Sequence, residues 1–483
     1  MYLTKYLIRH RLHTDATVFV NTLSGAMDIF SDDQLRDVQS LIESEQMPDT
    51  ELAHYMQARQ YFFESELEEH QRFLALREVM RVVEREEPTV FVVSPTYSCF
   101  FKCSYCYEGG LTTQGHHCAV AAADFLKGME LMEDFLRLHL QLRDKPYITF
   151  LGGEPLQPKT SGLVTSVLAE GARRGYQFTI ITNGFLLDSF IEKLVPYASA
   201  LKYIQITVDG PEVIHDGRRP LTNNAGTFQR ITDNIEIALN AGLPIKMRTN
   251  LDLANVDGLI DLAIFIRDKG WDERPNFKAY LAPVEDSTCR GLDLAREDAL
   301  LRAWLPLKEN SKFREVLSVF DDSKLFRATD MLEANIMNSP RKVLPRFSYC
   351  AATKGKSFVF GPEGNIYQCL RGVGELRTSI GTFWPAFHVD KEKVNRWLQR
   401  DITRIECNSC TSVATLQGGG CALESLTREG KLEACTCGSA REVVHGYLEL
   451  RRDKLLQSAF VNERSLKEDL ARELNSRERS IGD

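Results

Sequence analysis

Nowhere does the chain hold the continuous apolar run of roughly 20 residues that a membrane helix requires. Its opening segment, MYLTKYLIRHRLHTD, mixes charged and apolar residues and has no small-residue cleavage site, so neither a membrane span nor a secretory signal is expected. Long Lys/Arg runs are missing as well. With 59 basic against 67 acidic residues and a formal charge of −8, there is no electrostatic footprint for nucleic acid. Internal repeats are absent too. The expectation is a cytoplasmic globular protein with neither a membrane nor a nucleic-acid partner. At 483 residues and 43% apolar side chains, it is large enough for two to four domains.

Cysteine, by contrast, is plentiful, with twelve residues. In a small secreted chain they would imply disulfides, but here they cluster at metal-ligand spacings in a chain too long to need stapling. Metal is the better account. Cys118 and Cys289 stand apart and read as ordinary buried apolar residues.

Four composition changes divide the chain. TVFVNTLSGAMDIF predicts a hairpin, followed by a helix over SDDQLRDVQSLI and a helical pattern from about 50 to 86, giving an α+β module over 1–87. Over 88–285, strand-like runs alternate with amphipathic helices: TVFVV (89–93), YITF (147–150), FTIIT (178–182), YIQITV (203–208), IKMRTN (245–250) and NFKAYL (276–281). Six such alternations predict a parallel sheet, open or closed into a partial (β/α)6 barrel, with its chemistry at the carboxyl ends of the strands. Residues 286–345 read as a helical connection. Residues 346–440 are Cys- and Gly-rich, with too little apolar periodicity to fold without metal, and 441–483 hold one helical stretch and a charged tail.

Directly after the first predicted strand, SPTYSCFFKCSYCYEGG places Cys99, Cys103 and Cys106 as Cys-x3-Cys-x2-Cys. Three thiolates fill three irons of a cubane and leave the fourth open, whereas structural zinc or a simple ferredoxin cluster takes four ligands. A zinc knuckle completed by His116, His117 or Cys118 is the other reading of the triplet. Past the second strand stand Gly152, Gly153, Glu154 and Pro155, where small residues expose backbone to a ligand. Thr182-Asn183-Gly184 follow the third strand, Asp209-Gly210-Pro211 the fourth, and Arg248 and Asn250 close the fifth. Beyond Asp209 lie His215, Asp216 and Arg218; the plainest role for Arg218 is a surface pair with Asp216.

The triplet, with Tyr105 before its last Cys, resembles the radical S-adenosylmethionine family, and so do the GGEP, ITNG and VDGPEVIHDGRR stretches in that order. The resemblance covers about residues 89–285. It implies a [4Fe-4S] cluster whose open iron chelates the methionine end of S-adenosylmethionine, and a 5′-deoxyadenosyl radical that abstracts hydrogen. On this basis Tyr105, Gly152, Gly153, Glu154, Pro155, Thr182, Asn183, Asp209 and Arg248 are expected to bind the cofactor. No residue is identified as a catalytic base.

Seven further thiols, Cys350, Cys369, Cys407, Cys410, Cys421, Cys435 and Cys437, lie within 88 residues. One zinc site would leave three unused. Gly364-x4-Cys369, Cys407-x2-Cys410 and the Gly-Gly-Cys ending at Cys421 resemble the SPASM extension of radical enzymes. That resemblance implies two auxiliary [4Fe-4S] clusters, three in all. Members with full ligation carry further cysteines where this chain has Lys356 and, approximately, Leu416. Cys350, Cys369 and Cys421 are therefore assigned to a first auxiliary cluster with an open iron, and Cys407, Cys410, Cys435 and Cys437 to a second. Sulfatase-maturating relatives place an Asp after the Cys matching Cys369; here Leu370 stands there and accepts no proton.

An open auxiliary iron suits a substrate thiolate. The expectation is thus a maturase that installs a cross-link, a Cys thioether first, in a ribosomally made precursor peptide. Residues 1–87 resemble the leader-recognition module of such enzymes, binding the leader as an added strand. An external donor, flavodoxin or ferredoxin, would supply the electron. The alternatives are formylglycine formation in sulfatases and a non-catalytic zinc-binding protein.

Overall fold

The computed structural model describes residues 2–457 except 14, 45–47, 112–119, 287, 290, 293, 295, 341–342 and 406–410. His116, His117, Cys118, Cys407, Cys410 and the charged tail lie outside the described residues.

Six parallel strands form the centre in sequence order: Val90–Val93, Tyr147–Phe150, Phe178–Thr182, Leu201–Thr207, Ile245–Leu251 and Phe277–Pro283. Each matches an expected strand to within a few residues. Runs such as VFVV and FTIIT are rich in β-branched and aromatic side chains and are covered on both faces, which a parallel sheet flanked by helices demands. The crossover helices carry one apolar stripe each. Phe228–Asn240 buries Phe228, Ile231, Ile235, Ala238 and Leu239 and leaves its polar side to solvent. The result is a partial α/β barrel, and its strand ends all open toward one rim.

On the far side of the first strand, Ser357–Phe360 adds in parallel, with Ser357 opposite Val90 and Phe360 opposite Val93. Asn365–Tyr367, Ser379–Thr382 and His388–Val389 continue it as an antiparallel meander. The Cys-rich region thus begins as an extension of the barrel sheet. Its first strand, SFVF, is wholly buried. Between barrel and meander, the helices Glu297–Glu309, Arg314–Leu317 and Asp330–Ile336 occupy the expected helical connection.

The N-terminal hairpin has a third strand, giving an antiparallel sheet of Leu7–His13, Ala16–Asn21 and Met27–Ser31. Ser31 caps the helix Asp32–Glu43 in a reciprocal arrangement with Gln34. The helical pattern over 50–86 splits into Glu51–Ala58 and Glu66–Arg85. Between them Phe62 and Phe63 pair with Leu3 and Tyr2, because burying three consecutive aromatics, Tyr61 to Phe63, outweighs helical continuity.

The central strand of this sheet divides its side chains by parity. Phe19 joins Phe30 and Tyr61 in a core of the module's own, at ring distances of 5.0 and 6.0 Å, while Val18 and Val20 face the main core. Thr415 donates to Thr22 at 2.7 Å, and Arg77 donates to Asp401 at 2.7 Å. The module is therefore fastened to the C-terminal region. No helix among the described residues is long and apolar enough to cross a membrane.

Phe19→Ala removes the hub of the module's aromatic cluster and should cost about 3–5 kcal/mol. The check is the denaturant midpoint followed by near-ultraviolet circular dichroism, in which the aromatic signal of the module should be lost first.

Candidate active site

The three thiols of the triplet sit on the loop that leaves the first strand. Two neighbours hold that loop. On one side, the backbone amides of Lys102 and Ser104 donate to the carbonyls of Pro220 and Arg218 at 2.8 and 3.1 Å, and Thr222 donates to Phe100 at 3.0 Å. On the other, Gly153 and Glu154 donate to the carbonyls of Thr96 and Ser98 at 3.0 and 3.1 Å. The glycines are required by this approach: a Cβ on Gly153 would stand 2.2 Å from the Tyr97 carbonyl oxygen, and one on Gly152 2.5 Å from that of Thr96.

Glu154 is buried, and its carboxylate is committed to the protein. It accepts from Thr182 Oγ1 at 2.6 Å, from the Asn183 amide at 2.6 Å and from the Leu156 amide at 2.8 Å, tying the second strand end to the third. Burial pushes its pKa up to about 7, against the pull of those three donors. Asn183 in turn donates its side-chain amide to Cys99 Sγ at 3.9 Å. The Pro155 carbonyl accepts from Thr160 Oγ1 at 2.6 Å, starting the next helix.

At the fourth and fifth strand ends, Tyr105 is the centre of a buried network. Its hydroxyl donates to Asp209 and accepts from Arg219 Nη1 at 2.8 Å and Asn250 Nδ2 at 3.0 Å. Asp209 also accepts from the Asn250 amide at 2.9 Å, and Arg248 donates to Asn250 Oδ1 at 2.6 Å. His215 is fully buried and accepts from the Asp209 amide at 3.2 Å; desolvation holds its pKa well below the usual value, so it braces the loop in its neutral form. Arg218 does not pair with Asp216. It reaches Asp252 at 3.0 Å and Asp209 at 3.5 Å, while Asp216 caps the next helix by accepting from the Thr227 and Phe228 amides at 2.7 and 2.8 Å. A helix start supplies two geometrically fixed donors, which an exposed arginine does not match.

Arg219 was not singled out from sequence. It is buried, and after desolvation its strongest partner is Cys103, so a fixed cation lies beside the triplet. The Nε donor of Arg219 lacks a hydrogen-bond partner among the described residues, and that of Arg218 has only its 3.5 Å ion-pair approach to Asp209. Burial pushes Cys99 up to about 12 and Cys106 up to about 11, and Cys103 raises both further. Three half-buried thiols with two guanidinium groups beside them fit an anionic thiolate cluster and a carboxylate-bearing cofactor. Among the described residues no three His, Cys, Asp or Glu are arranged to hold a single metal ion. A four-iron cube asks instead for one thiolate per iron.

Above the fifth and sixth strand ends lies a cavity of about 160 Å³, lined among others by Pro283, Glu285, Glu297, Arg327, Tyr349 and Gln417. Tyr349 precedes Cys350, and its carbonyl accepts from Arg327 Nη1 at 2.6 Å. Cys369 is pushed up to about 12 by burial and then by Cys350 and Cys421, so these three thiols form a second group. Arg371, two residues past Cys369, pairs with Glu285 at 2.6 Å and links this group to the sixth strand end. Glu297 is pushed up to about 7 by burial and by the charge of Glu285. Cys435 and Cys437 flank Thr436, which bridges in parallel to Gly420 and donates to the Cys421 carbonyl at 2.9 Å. Of the departures noted from sequence, Lys356 donates to the Arg85 carbonyl at 2.8 Å, Leu416 is in the core, and Leu370 is exposed.

Residues 93–258 match the family model described as the Radical SAM superfamily. No curated protein sequence matches the chain. Among solved structures, the chain is similar in fold to anSMEcpe with bound AdoMet and Cp18Cys peptide, with TM-score 0.55 and 15% identity over 77% of this chain and 99% of that one. It is also similar to Streptococcus suis SuiB bound to precursor peptide SuiA, with TM-score 0.51 and 15% identity over 90% of this chain and 98% of that one.

Gly153→Ala should push the triplet loop off its carbonyl contacts. Iron content at the triplet and S-adenosylmethionine binding, measured by equilibrium dialysis, should both fall by at least about tenfold, the equivalent of 1.4 kcal/mol or more, while the far-ultraviolet spectrum stays unchanged.

Proposed function

We propose that this chain, a radical S-adenosylmethionine enzyme, is a maturase that installs a cross-link, a Cys thioether, in a ribosomally made precursor peptide. The observation that supports the reading is the second thiol group, Cys350, Cys369 and Cys421, joined to the wall of the strand-end cavity through Tyr349 and the Arg371–Glu285 pair.

When bound, the cluster and S-adenosylmethionine supply a 5′-deoxyadenosyl radical that removes a hydrogen atom from the substrate. The chain's own residues do the rest. Arg218 and Arg219 offer donors to an anionic cofactor, and the Thr96–Ser98 and Gly152–Gly153 backbones keep the triplet loop in place. Joining the carbon radical to sulfur also releases the thiol proton and one electron, the electron being left for an auxiliary cluster to accept. Glu297, held near neutrality on the cavity wall, is suited to accept the proton. The fold-level likeness to SuiB, solved with its precursor peptide and overlapping 90% of this chain, supports a peptide substrate, and residues 1–87 are the segment proposed to hold its leader. Cys407 and Cys410 complete the proposed second auxiliary cluster with Cys435 and Cys437, and flavodoxin or ferredoxin is the proposed electron donor.

Formylglycine formation is the second reading, favoured by the likeness to anSMEcpe solved with the Cp18Cys peptide. Leu370, in the place of a proton-accepting Asp, counts against it.

The test is anaerobic incubation of the purified enzyme with reductant, S-adenosylmethionine and a short Cys-containing precursor encoded beside its gene. A loss of two hydrogens mapped to a Cys-to-carbon bond is expected; an aldehyde at Cys selects the second reading, and a colourless zinc protein overturns both. Cys369→Ala should abolish cross-linked product while cofactor cleavage persists. Cross-linking should rise as pH increases through about 7, because Glu297 acts in its ionised form, and Glu297→Gln should lower the rate and flatten that rise. Initial rates between pH 5.5 and 8.5 provide the measurement.

A further inference from the structure

Two arginines, Arg400 and Arg451, are among the largest fully buried side chains of the molecule. Arg451 is conventionally compensated: it pairs with Glu309 and, at 3.1 Å, with Glu333. Arg400 is 0% exposed and has no carboxylate in ion-pair reach among the described residues. Glu424, whose carboxyl senses it, pairs with Arg428 at 2.9 Å. Among the described residues, all of the hydrogen bonds Arg400 donates end on backbone carbonyls: Leu432 at 2.5 Å, Gly420 at 2.8 Å, Gly419 at 3.1 Å and Ala434 at 3.2 Å.

Those carbonyls belong to two ligand-bearing segments. Gly419 and Gly420 lead into Cys421, and Ala434 leads into Cys435. The glycines are held at φ of +81° each, with a Cβ on Gly420 placed 2.2 Å from the Thr436 carbonyl oxygen, so the segments lie side by side with the guanidinium between them. Among the described residues, the groups that most favour the charge of Arg400 are the thiols of Cys421, Cys350, Cys437 and Cys435, in that order. A buried cation without a counter-charge is strongly disfavoured. Carbonyl dipoles satisfy its N–H groups but leave its charge, which only anions nearby can offset.

We infer that Arg400 is a positioning residue that supplies a fixed positive charge to the auxiliary clusters and thereby sets their reduction potential. This rests on the reading that Cys350, Cys369, Cys421, Cys435 and Cys437 ligate iron–sulfur clusters. A cluster gains negative charge on reduction, so a nearby cation in a low-dielectric interior stabilises the reduced state and raises the potential. Carbon–sulfur bond formation removes an electron from the substrate radical after hydrogen abstraction, and a raised potential makes an auxiliary cluster a better acceptor for it. The same cation reaches both ligand segments, so it biases both clusters in one direction.

The experiment uses the full chain carrying Cys99→Ala, Cys103→Ala and Cys106→Ala, so that the signals belong to the auxiliary sites, with Arg400→Lys and Arg400→Gln added in turn. Iron and sulfide are counted, and potentials are read by redox titration followed by electron paramagnetic resonance. Arg400→Gln, which keeps a donor but loses the charge, should retain iron and shift the auxiliary potentials to more negative values. Arg400→Lys, which keeps the charge and loses the fork, should stay near the parent. Unchanged potentials in Arg400→Gln, equal shifts in both variants, or loss of auxiliary iron from both would each overturn the inference and leave a purely structural brace. If the parent triple variant holds no iron, the cluster reading itself fails and the inference with it.

Discussion

The constraint on which the site depends is the close approach of two backbones: Gly152 and Gly153 lie against the carbonyls of Thr96 to Ser98. No side chain fits there, so the second strand end can act as a floor for the loop that leaves the first. The thiols of Cys99, Cys103 and Cys106 inherit their positions from this contact and from the hydrogen bonds to Arg218, Pro220 and Thr222 on the other side. Glu154 then extends the clamp to the third strand end through Thr182 and Asn183. A parallel sheet makes this possible, since its register sets neighbouring strand ends side by side and each loop begins where the last one ends.

A second organising element is buried positive charge. Arg218 and Arg219 border the triplet, Arg371 stands between the sixth strand end and the second thiol group, and Arg400 lies between the two C-terminal ligand segments. Arginine stays protonated even where desolvation is severe, and its planar fork satisfies several acceptors at once. An apolar lining would leave thiolate clusters without compensation. The carboxylates nearest the chemistry are committed elsewhere: Asp209 to Tyr105 and Asn250, Glu154 to three donors, Glu285 to Arg371. Glu297 is the exception on the cavity wall, and burial beside Glu285 keeps it near neutrality.

The N-terminal module is integrated by the simplest property of a strand. Along Ala16–Asn21 alternate residues serve two cores, so the module folds around Phe19 and docks through Val18 and Val20 with no extra linker. Thr22, Arg77 and their partners Thr415 and Asp401 carry the contact toward the Cys-rich region.

The six barrel strands were legible in the sequence, because doubly covered parallel strands must be apolar along their whole length, and so was the Cys-x3-Cys-x2-Cys spacing, because it lies on one short loop. The positions of Gly152–Pro155, Thr182, Asn183, Asp209 and Arg248 at strand ends could be read there too. The remainder emerged from contacts between distant segments. Ser357–Phe360 became a neighbour of the first strand across more than 260 residues of chain, and the helix over 50–86 broke where Phe62 and Phe63 found Tyr2 and Leu3. Arg218 chose Asp252 over Asp216. Arg219, Glu297 and Arg400 left no pattern to read, because one long polar side chain looks alike in sequence whether it is solvated or buried. Its burial and the charge beside it arise from contacts between distant segments, and those exist only once the chain has folded.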